Sequence, residues 1–115
     1  PSRLPKYIAD ILVYINKNIS AIKSADEIAK KFGLSMPYLS ITFKNAIGTP
    51  LKSYIQAKKI SYAKELLDKD FSVTEACYES GFNDCSYFIK VFKHHIGTTP
   101  FKYKNLDEKI RNILR

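Results

Sequence analysis

The feature that most constrains this chain is a short segment that occurs twice. The pattern Phe-Lys-x-x-Ile-Gly-Thr begins at Phe43 and again at Phe92, and each copy is followed by a proline, Pro50 or Pro100. Glycine is favoured just beyond the C-terminus of a helix, and proline is favoured at the first position of the next one. A chain of 115 residues with such a duplication is predicted to contain two related helical units.

Capping patterns divide the region before the first copy into two short helices. Residues 24–27, Ser-Ala-Asp-Glu, have the spacing of a capping box, in which the serine caps the third amide and the glutamate reaches back. The helix that begins there is expected to end at Gly33, and Ser35 caps the next. The inner face of this second helix carries Leu39 and Phe43, four residues apart.

The region before the second copy follows the same order. Residues 72–75, Ser-Val-Thr-Glu, form another capping box, and the helix is expected to end near Gly81. Either Asn83 or Asp84 can cap the next helix, so this turn is one residue longer than the first. The inner face of that helix is predicted to carry two aromatic residues, Phe88 and Phe92.

The helical periodicity extends through nearly the whole chain, and no alternating strand pattern of useful length appears. A long helix is predicted from Leu51 to about Asp68, with buried candidates Tyr54, Ile55, Tyr62, Ala63, Leu66 and Leu67. We therefore predict an all-α fold with two helix-turn-helix units joined by a linker helix. The expected boundaries are 1–50 for the first unit, 51–69 for the linker, 70–103 for the second unit and 104–115 for a helical tail.

Several short segments between residues 24 and 103 carry a family pattern: Gly33-Leu34-Ser35, Tyr38-Leu39-Ser40, Phe43-Lys44, Gly48-Thr49, Ala63–Leu67, Gly81-Phe82, Ser86-Tyr87-Phe88, Phe92-Lys93, Gly97, Pro100 and Tyr103. In these residues the chain resembles the DNA-binding domain of the AraC/XylS bacterial transcription regulators. The resemblance implies about seven helices, a rigid linker helix, and two recognition helices that enter successive major grooves of double-stranded DNA. A linker helix of this length spans about 27 Å, and neighbouring grooves on one DNA face lie about 34 Å apart.

The resemblance places the base-reading positions just upstream of each repeated segment. They are Pro37, Ser40 and Ile41 in the first unit, and Cys85, Ser86, Ile89 and Lys90 in the second. The family commonly has Arg at the position of Ile41, and Arg can bind guanine through two hydrogen bonds. Isoleucine can contact a thymine methyl group, which predicts an A/T-rich half-site, or it can pack into the domain. Lys90 also replaces an Arg; it keeps the charge but lacks the rigid fork.

Other residues on the same helices are predicted to contact phosphates, which position a protein without specifying sequence. They are Tyr38, Lys44, Asn83, Tyr87 and Lys93. For Tyr87 the alternative is a hydrophobic cap on the helix face.

A net charge of +8 indicates either a polyanionic partner or simply a basic protein. The charge is uneven: residues 1–50 carry +4, residues 51–69 carry +3, residues 70–100 carry −2 and residues 101–115 carry +3. We therefore hypothesise that the first unit, the linker and the tail supply most of the affinity for phosphate. The second unit would rely on Lys90, Lys93 and neutral donors.

Other classes of function find little support in the sequence. The spacing of Cys77, Cys85, His94 and His95 matches no zinc site. Cys77 is expected in the core, in the place that Ala29 fills in the first unit, and Cys85 on the exposed DNA face, with a thiol sensor as the alternative. Two cysteines make no disulfide framework and indicate a reducing compartment. No catalytic constellation appears, so we expect no enzymatic activity, metal or cofactor.

The expected protein is thus a cytoplasmic regulator, an activator more than a repressor, with double-stranded DNA and RNA polymerase as partners. A sensing or dimerising domain is expected outside this segment. No apolar run in the sequence approaches the ~18 residues that a membrane-spanning helix needs. The alternative is a basic helical module for a protein or membrane partner.

The tail carries an apolar stripe, formed by Leu106, Ile110, Ile113 and Leu114. This stripe is predicted to pack on the second unit, or to contact another domain, a second subunit or RNA polymerase.

Overall fold

The computed structural model describes residues 4–106 and 108–114, which form eight α-helices and no strand. The helices are α1 (Lys6–Asn18), α2 (Ala25–Lys31), α3 (Met36–Ile47), α4 (Leu51–Asp68), α5 (Val73–Glu79), α6 (Cys85–Ile96), α7 (Pro100–Lys104) and α8 (Glu108–Leu114). The all-α prediction is confirmed, and the eighth helix is the tail. The chain divides into two compact units, one ending at Lys58 and the other beginning at Lys59.

The first unit is built around α3, whose inner face lies in an aliphatic core. Leu39 and Phe43 are fully buried, as the sequence predicts. They pack with the buried stripe of α1 and with residues of α2 and α4: Ile8, Ile11, Ile15, Ile28, Leu51 and Ile55. The ring of Phe43 meets that of Tyr54 edge-on, with centroids 5.5 Å apart. These contacts fix one face of α3 and leave the other to solvent.

The second unit has a more aromatic core. The rings of Phe82, Phe88, Phe92 and Tyr103 follow one another with centroid separations of 5.1, 5.8 and 5.8 Å. Such tilted and edge-to-face pairs stabilise a core beyond the area they bury. Tyr103 is fully buried, and its hydroxyl donates a hydrogen bond to Asp68 Oδ1 at 2.9 Å. The polar end of this ring therefore has a partner.

The capping predictions hold in the second unit and fail in part in the first. The box at α5 is complete, since Ser72 Oγ accepts from the Glu75 amide while the Glu75 carboxylate accepts from the Ser72 amide. These bonds, led by that from the Ser72 backbone, lower the pKa of Glu75. The predicted box at residues 24–27 is wrong, because Ser24 makes no side-chain cap and Glu27 accepts from the Lys23 amide instead.

The helix ends follow the glycines and prolines closely. Gly48 and Gly97 end α3 and α6 with φ of 90° and 94°, a left-handed conformation that costs glycine little. Pro100 is the first residue of α7, as predicted. Pro50 instead lies just before α4, which begins at Leu51. The turn before α6 is one residue longer than that before α3, and Asp84 is the residue that caps α6.

Burial of Lys59 was not predicted from the sequence, where it counted as a surface charge of the linker. Only 7% of Lys59 is exposed. Its ammonium donates to the Gly81 carbonyl at 3.1 Å and lies 5.7 Å from the ring centroid of Phe82. The α4 lysine therefore ties the turn of the second unit to its core.

The tail packs on the second unit through only half of its apolar stripe. Leu106 and Leu114 lie against the second core, and the Leu114 carbonyl accepts from Lys64 Nζ at 2.6 Å. Ile110 and Ile113 are exposed, the latter by 81%. Residues 105–108, Asn-Leu-Asp-Glu, also have the pattern of a helix cap before this tail, but Asp107 lies outside the described residues.

The capping difference predicts unequal effects of two matched substitutions. Ser72→Ala removes a bonded cap and should lower the free energy of unfolding by about 1 kcal/mol. Ser24→Ala removes no side-chain cap bond and should cost less than about 0.5 kcal/mol. Urea denaturation followed by circular dichroism measures both, and equal losses would contradict this account of the caps.

The buried Lys59 predicts a second pair of substitutions on α4. Lys59→Met keeps much of the buried chain but leaves the Gly81 carbonyl without its donor, so we expect a loss of about 1–3 kcal/mol in stability. Lys52→Met, at an exposed position of the same helix, should change stability by no more than about 0.5 kcal/mol. A Lys59→Met protein as stable as the Lys52→Met control would show that the bond contributes nothing net.

Candidate nucleic-acid interface

The outer face of α3 presents the residues that the first unit was predicted to use. Ser35 caps the helix by accepting from the Tyr38 amide, and the inner pair Leu39 and Phe43 sets the rotation of the helix. All five predicted residues lie on the solvent side: Pro37, Tyr38, Ser40, Ile41 and Lys44. Ile41 is 65% exposed, so its packing alternative does not hold. An aliphatic side chain this exposed beside polar neighbours is available to a thymine methyl group.

Tyr7 of α1 is a member of this surface that sequence reasoning missed. Its hydroxyl donates to the Tyr38 hydroxyl oxygen at 3.2 Å, and the two rings stack with centroids 6.3 Å apart. The hydrogen bond to Tyr38 is the main cause that raises the pKa of Tyr7. Tyr38 thereby accepts one bond and keeps its own proton to donate to an oxygen outside the protein. No periodicity places these residues together, since they are 31 positions apart.

The outer face of α6 is the corresponding surface of the second unit. The Asp84 carboxylate caps it by accepting from the Ser86 and Tyr87 amides at 3.0 and 3.2 Å. Five predicted residues are exposed here: Asn83 in the turn before the helix, and Ser86, Tyr87, Lys90 and Lys93 on the helix itself. The Tyr87 ring lies 6.3 Å from that of Phe82, so this residue covers the core edge while 44% of it remains exposed.

Two predicted base-contacting residues of α6 lie partly inside the second unit. Ile89 and Cys85 are half-buried and pack against the core. The expectation of an exposed Cys85 is wrong, because its thiol points to Cys77 with the sulfur atoms 2.7 Å apart. Cys77 is fully buried like Ala29, as predicted. Burial is the largest cause that raises the pKa of the Cys77 thiol to about 12.

The lysines differ in whether they can reach a phosphate. Lys30, Lys44, Lys90 and Lys93 are exposed, and so is Lys31, whose ammonium lies 5.2 Å from the Tyr14 ring centroid. Several linker and tail cations instead bond within the second unit: Lys59, Lys64, Lys104 and Arg111. Burial also lowers the pKa of His95, which favours its neutral form. The linker and tail therefore offer less free charge than their composition suggests.

Other kinds of site have no counterpart in the part of the chain that the structure describes. Among those residues, no group of three or more His, Cys, Asp or Glu side chains could hold a metal ion. None of the described helices is both long and apolar enough to cross a membrane. The exposed faces of α3 and α6 remain the surfaces where candidate contact residues are concentrated.

Comparisons with known proteins agree with a helix-turn-helix fold. A family model described as a helix-turn-helix domain matches residues 28–105. The chain is 32% identical over 108 residues to the HTH-type transcriptional activator AarP of Providencia stuartii, and the match covers 93% of this chain and 80% of AarP. It is 36% identical over 97 residues to an uncharacterized HTH-type transcriptional regulator of Pseudoalteromonas carrageenovora, covering 84% of this chain but only 58% of that protein.

A solved structure has the same fold. The C-terminal domain of the two-component response regulator yesN from Fusobacterium nucleatum superposes with a TM-score of 0.81 at 30% identity, and the match covers 88% of this chain and 100% of that one. The family model and the AarP relative each span both helix-turn-helix units described above. The chain therefore belongs to the AraC/XylS family of helix-turn-helix transcription regulators.

Proposed function

We propose that this chain binds double-stranded DNA in a sequence-specific manner as part of a bacterial transcription regulator, with α3 and α6 entering successive major grooves. One observation carries the proposal. Each of these helices is fixed by a fully buried pair on its inner face, Leu39 and Phe43 or Phe88 and Phe92, while its outer face is exposed and rich in hydrogen-bonding groups. A helix held in this way can present side chains to base edges without losing its packing.

The two helices would read DNA by different chemistry. On α3, Ile41 would contact a thymine methyl group while Ser40 bonds a base edge, and Pro37 would pack beside them. On α6, Lys90 would donate to guanine and Ser86 to either kind of base, with Cys85 and Ile89 contributing their exposed portions. Tyr38, Lys44, Asn83, Tyr87 and Lys93 would contact phosphates, with Tyr7 holding Tyr38 in place.

The names and lengths of the relatives support a proposal for the regulatory role of the protein. AarP is named a transcriptional activator, and we propose activation for this chain, with RNA polymerase as a partner and the cytoplasm as its location. The chain spans 58% of the Pseudoalteromonas relative and 35% of the melibiose operon regulatory protein of Escherichia coli. A sensing or dimerising domain outside this segment is part of the same proposal.

A gel shift with random duplex DNA at about 50 and 200 mM salt tests whether the chain binds duplex DNA at all. We expect binding at low salt that weakens steeply at high salt. Absence of any shift at low salt would overturn the proposal. Binding to anionic vesicles in its place would favour the alternative of a basic module for a membrane partner.

Selection of bound sequences from a random duplex pool should recover an A/T-rich half-site for the first unit. Ile41→Ala should relax the preference for thymine at one or two positions, because a methyl contact is lost. Val13→Ala is the matched control, since Val13 is an apolar side chain on α1 that is 51% exposed. An invariant guanine that depends on Ile41 would contradict this assignment.

The dependence of affinity on salt should locate the phosphate contacts. Each lost contact lowers the slope of log K against log salt by about 0.9. A double Lys30→Ala, Lys31→Ala variant should lower it by more than Lys93→Ala does, because the first unit carries more exposed charge. Lys17→Ala, on α1, serves as the control. An unchanged slope in the double variant, with a halved slope for Lys93→Ala, would refute the assignment.

A further inference from the structure

The sulfur atoms of Cys77 and Cys85 lie in close contact. The roles given to the two residues so far, core packing for Cys77 and DNA contact for Cys85, do not account for this contact. Cys77 is on α5 in the core, and Cys85 is the first residue of α6. Their sulfur atoms are 2.7 Å apart, and a disulfide bond is about 2.05 Å long. Closing that difference needs a movement of less than 1 Å. The two sulfur atoms are therefore within bonding reach of each other.

The first unit has no counterpart of this pair. The place of Cys77 is filled there by buried Ala29, and the first residue of α3 is Met36, which packs on the core. A pair of thiols is thus a property of the second unit alone. Core packing needs neither sulfur to be a thiol, since alanine and methionine fill the equivalent positions in the same fold.

We propose that Cys77 and Cys85 form a reversible disulfide on exposure to a hydroperoxide, and that this bond ties the start of the second recognition helix to α5. Formation of this bond depends on the chemistry of the two thiols and not on what α6 binds.

The unequal burial of the two cysteines determines which of them reacts first with the peroxide. Cys85 is partly exposed and can meet a peroxide, whereas Cys77 is fully buried. Since the thiolate is the nucleophile, the raised pKa of Cys77 also makes it the slower first reactant. Tyr78 forms a hydrogen bond with Cys85 that raises the pKa of the tyrosine, so a protonated phenol lies beside the reacting sulfur.

Formation of the disulfide consumes one hydrogen peroxide and releases two waters. The Cys85 thiolate attacks one peroxide oxygen, an S–O bond forms, the O–O bond breaks, and the leaving hydroxide takes up a proton to become water. Cys77 then attacks the sulfenic acid sulfur, the S–S bond forms, and the S–O bond breaks. The departing hydroxide leaves as a second water with the Cys77 proton. Two electrons pass from the sulfur pair to the peroxide, and dithiothreitol can return them by thiol–disulfide exchange.

Intact mass after alkylation tests the proposal directly. The chain is treated with hydrogen peroxide, quenched with catalase, denatured and alkylated with iodoacetamide. We expect a monomer that has lost two hydrogen atoms and takes up no alkyl group, and that takes up two after dithiothreitol. Oxidation of the single methionine adds one oxygen and is not reversed by dithiothreitol, so it is distinguishable.

Two variants separate the roles of the thiols. Cys85→Ser keeps nearly the size of the half-buried side chain, and its Cys77 should stay reduced and take up one alkyl group after denaturation. In Cys77→Ala, which mimics the first unit, Cys85 should persist as a sulfenic acid that dimedone captures. The melting temperature of the oxidised wild-type chain should rise by about 10 °C, because the closed loop restricts the unfolded chain. Two alkyl groups on the peroxide-treated wild type, or disulfide-linked dimers in place of the monomer, would overturn the proposal.

Discussion

The structure depends on one recurring contact, the burial of two side chains four residues apart on the inner face of each recognition helix. Leu39 and Phe43 in α3, and Phe88 and Phe92 in α6, are completely inaccessible to solvent. Removal of such a side chain costs several kcal/mol, so the rotation of each helix about its axis is strongly determined. That rotation decides which residues face outward, and with them the chemistry that each helix can offer to DNA.

Much of this arrangement could be predicted because it rests on local rules. Helix ends are set by groups within a few residues of each other, which is why Gly48, Gly97 and the Ser72 box could be located. The inner faces follow from helical spacing. The Ser24 box shows the limit of such rules, because Glu27 had a competing amide at Lys23. A capping pattern states which bonds can form, and the surrounding backbone decides between them.

The other features that escaped prediction depend on contacts between different elements of the fold. The pairing of Tyr7 with Tyr38 and the burial of Lys59 against Gly81 are set by tertiary packing, which no local spacing encodes. The inward turn of Cys85 has the same origin, since Cys77 lies on another helix. Charge counting was misleading for a related reason: Lys59, Lys64 and Lys104 are bonded within the second unit. A sequence can count cations, but only packing shows which of them face outward.

The two units thus share one scaffold but differ in detail. The first has an aliphatic and basic surface around Ile41, and the second has Lys90 on its surface and a thiol pair beneath the start of α6. A hydroxyl-radical footprint on a selected duplex tests most directly whether both units read DNA. The account predicts two protected segments about one helical turn apart on one face, with Ile41→Ala weakening one segment and Lys90→Ala the other. A single protected segment that weakens equally in both variants would contradict it.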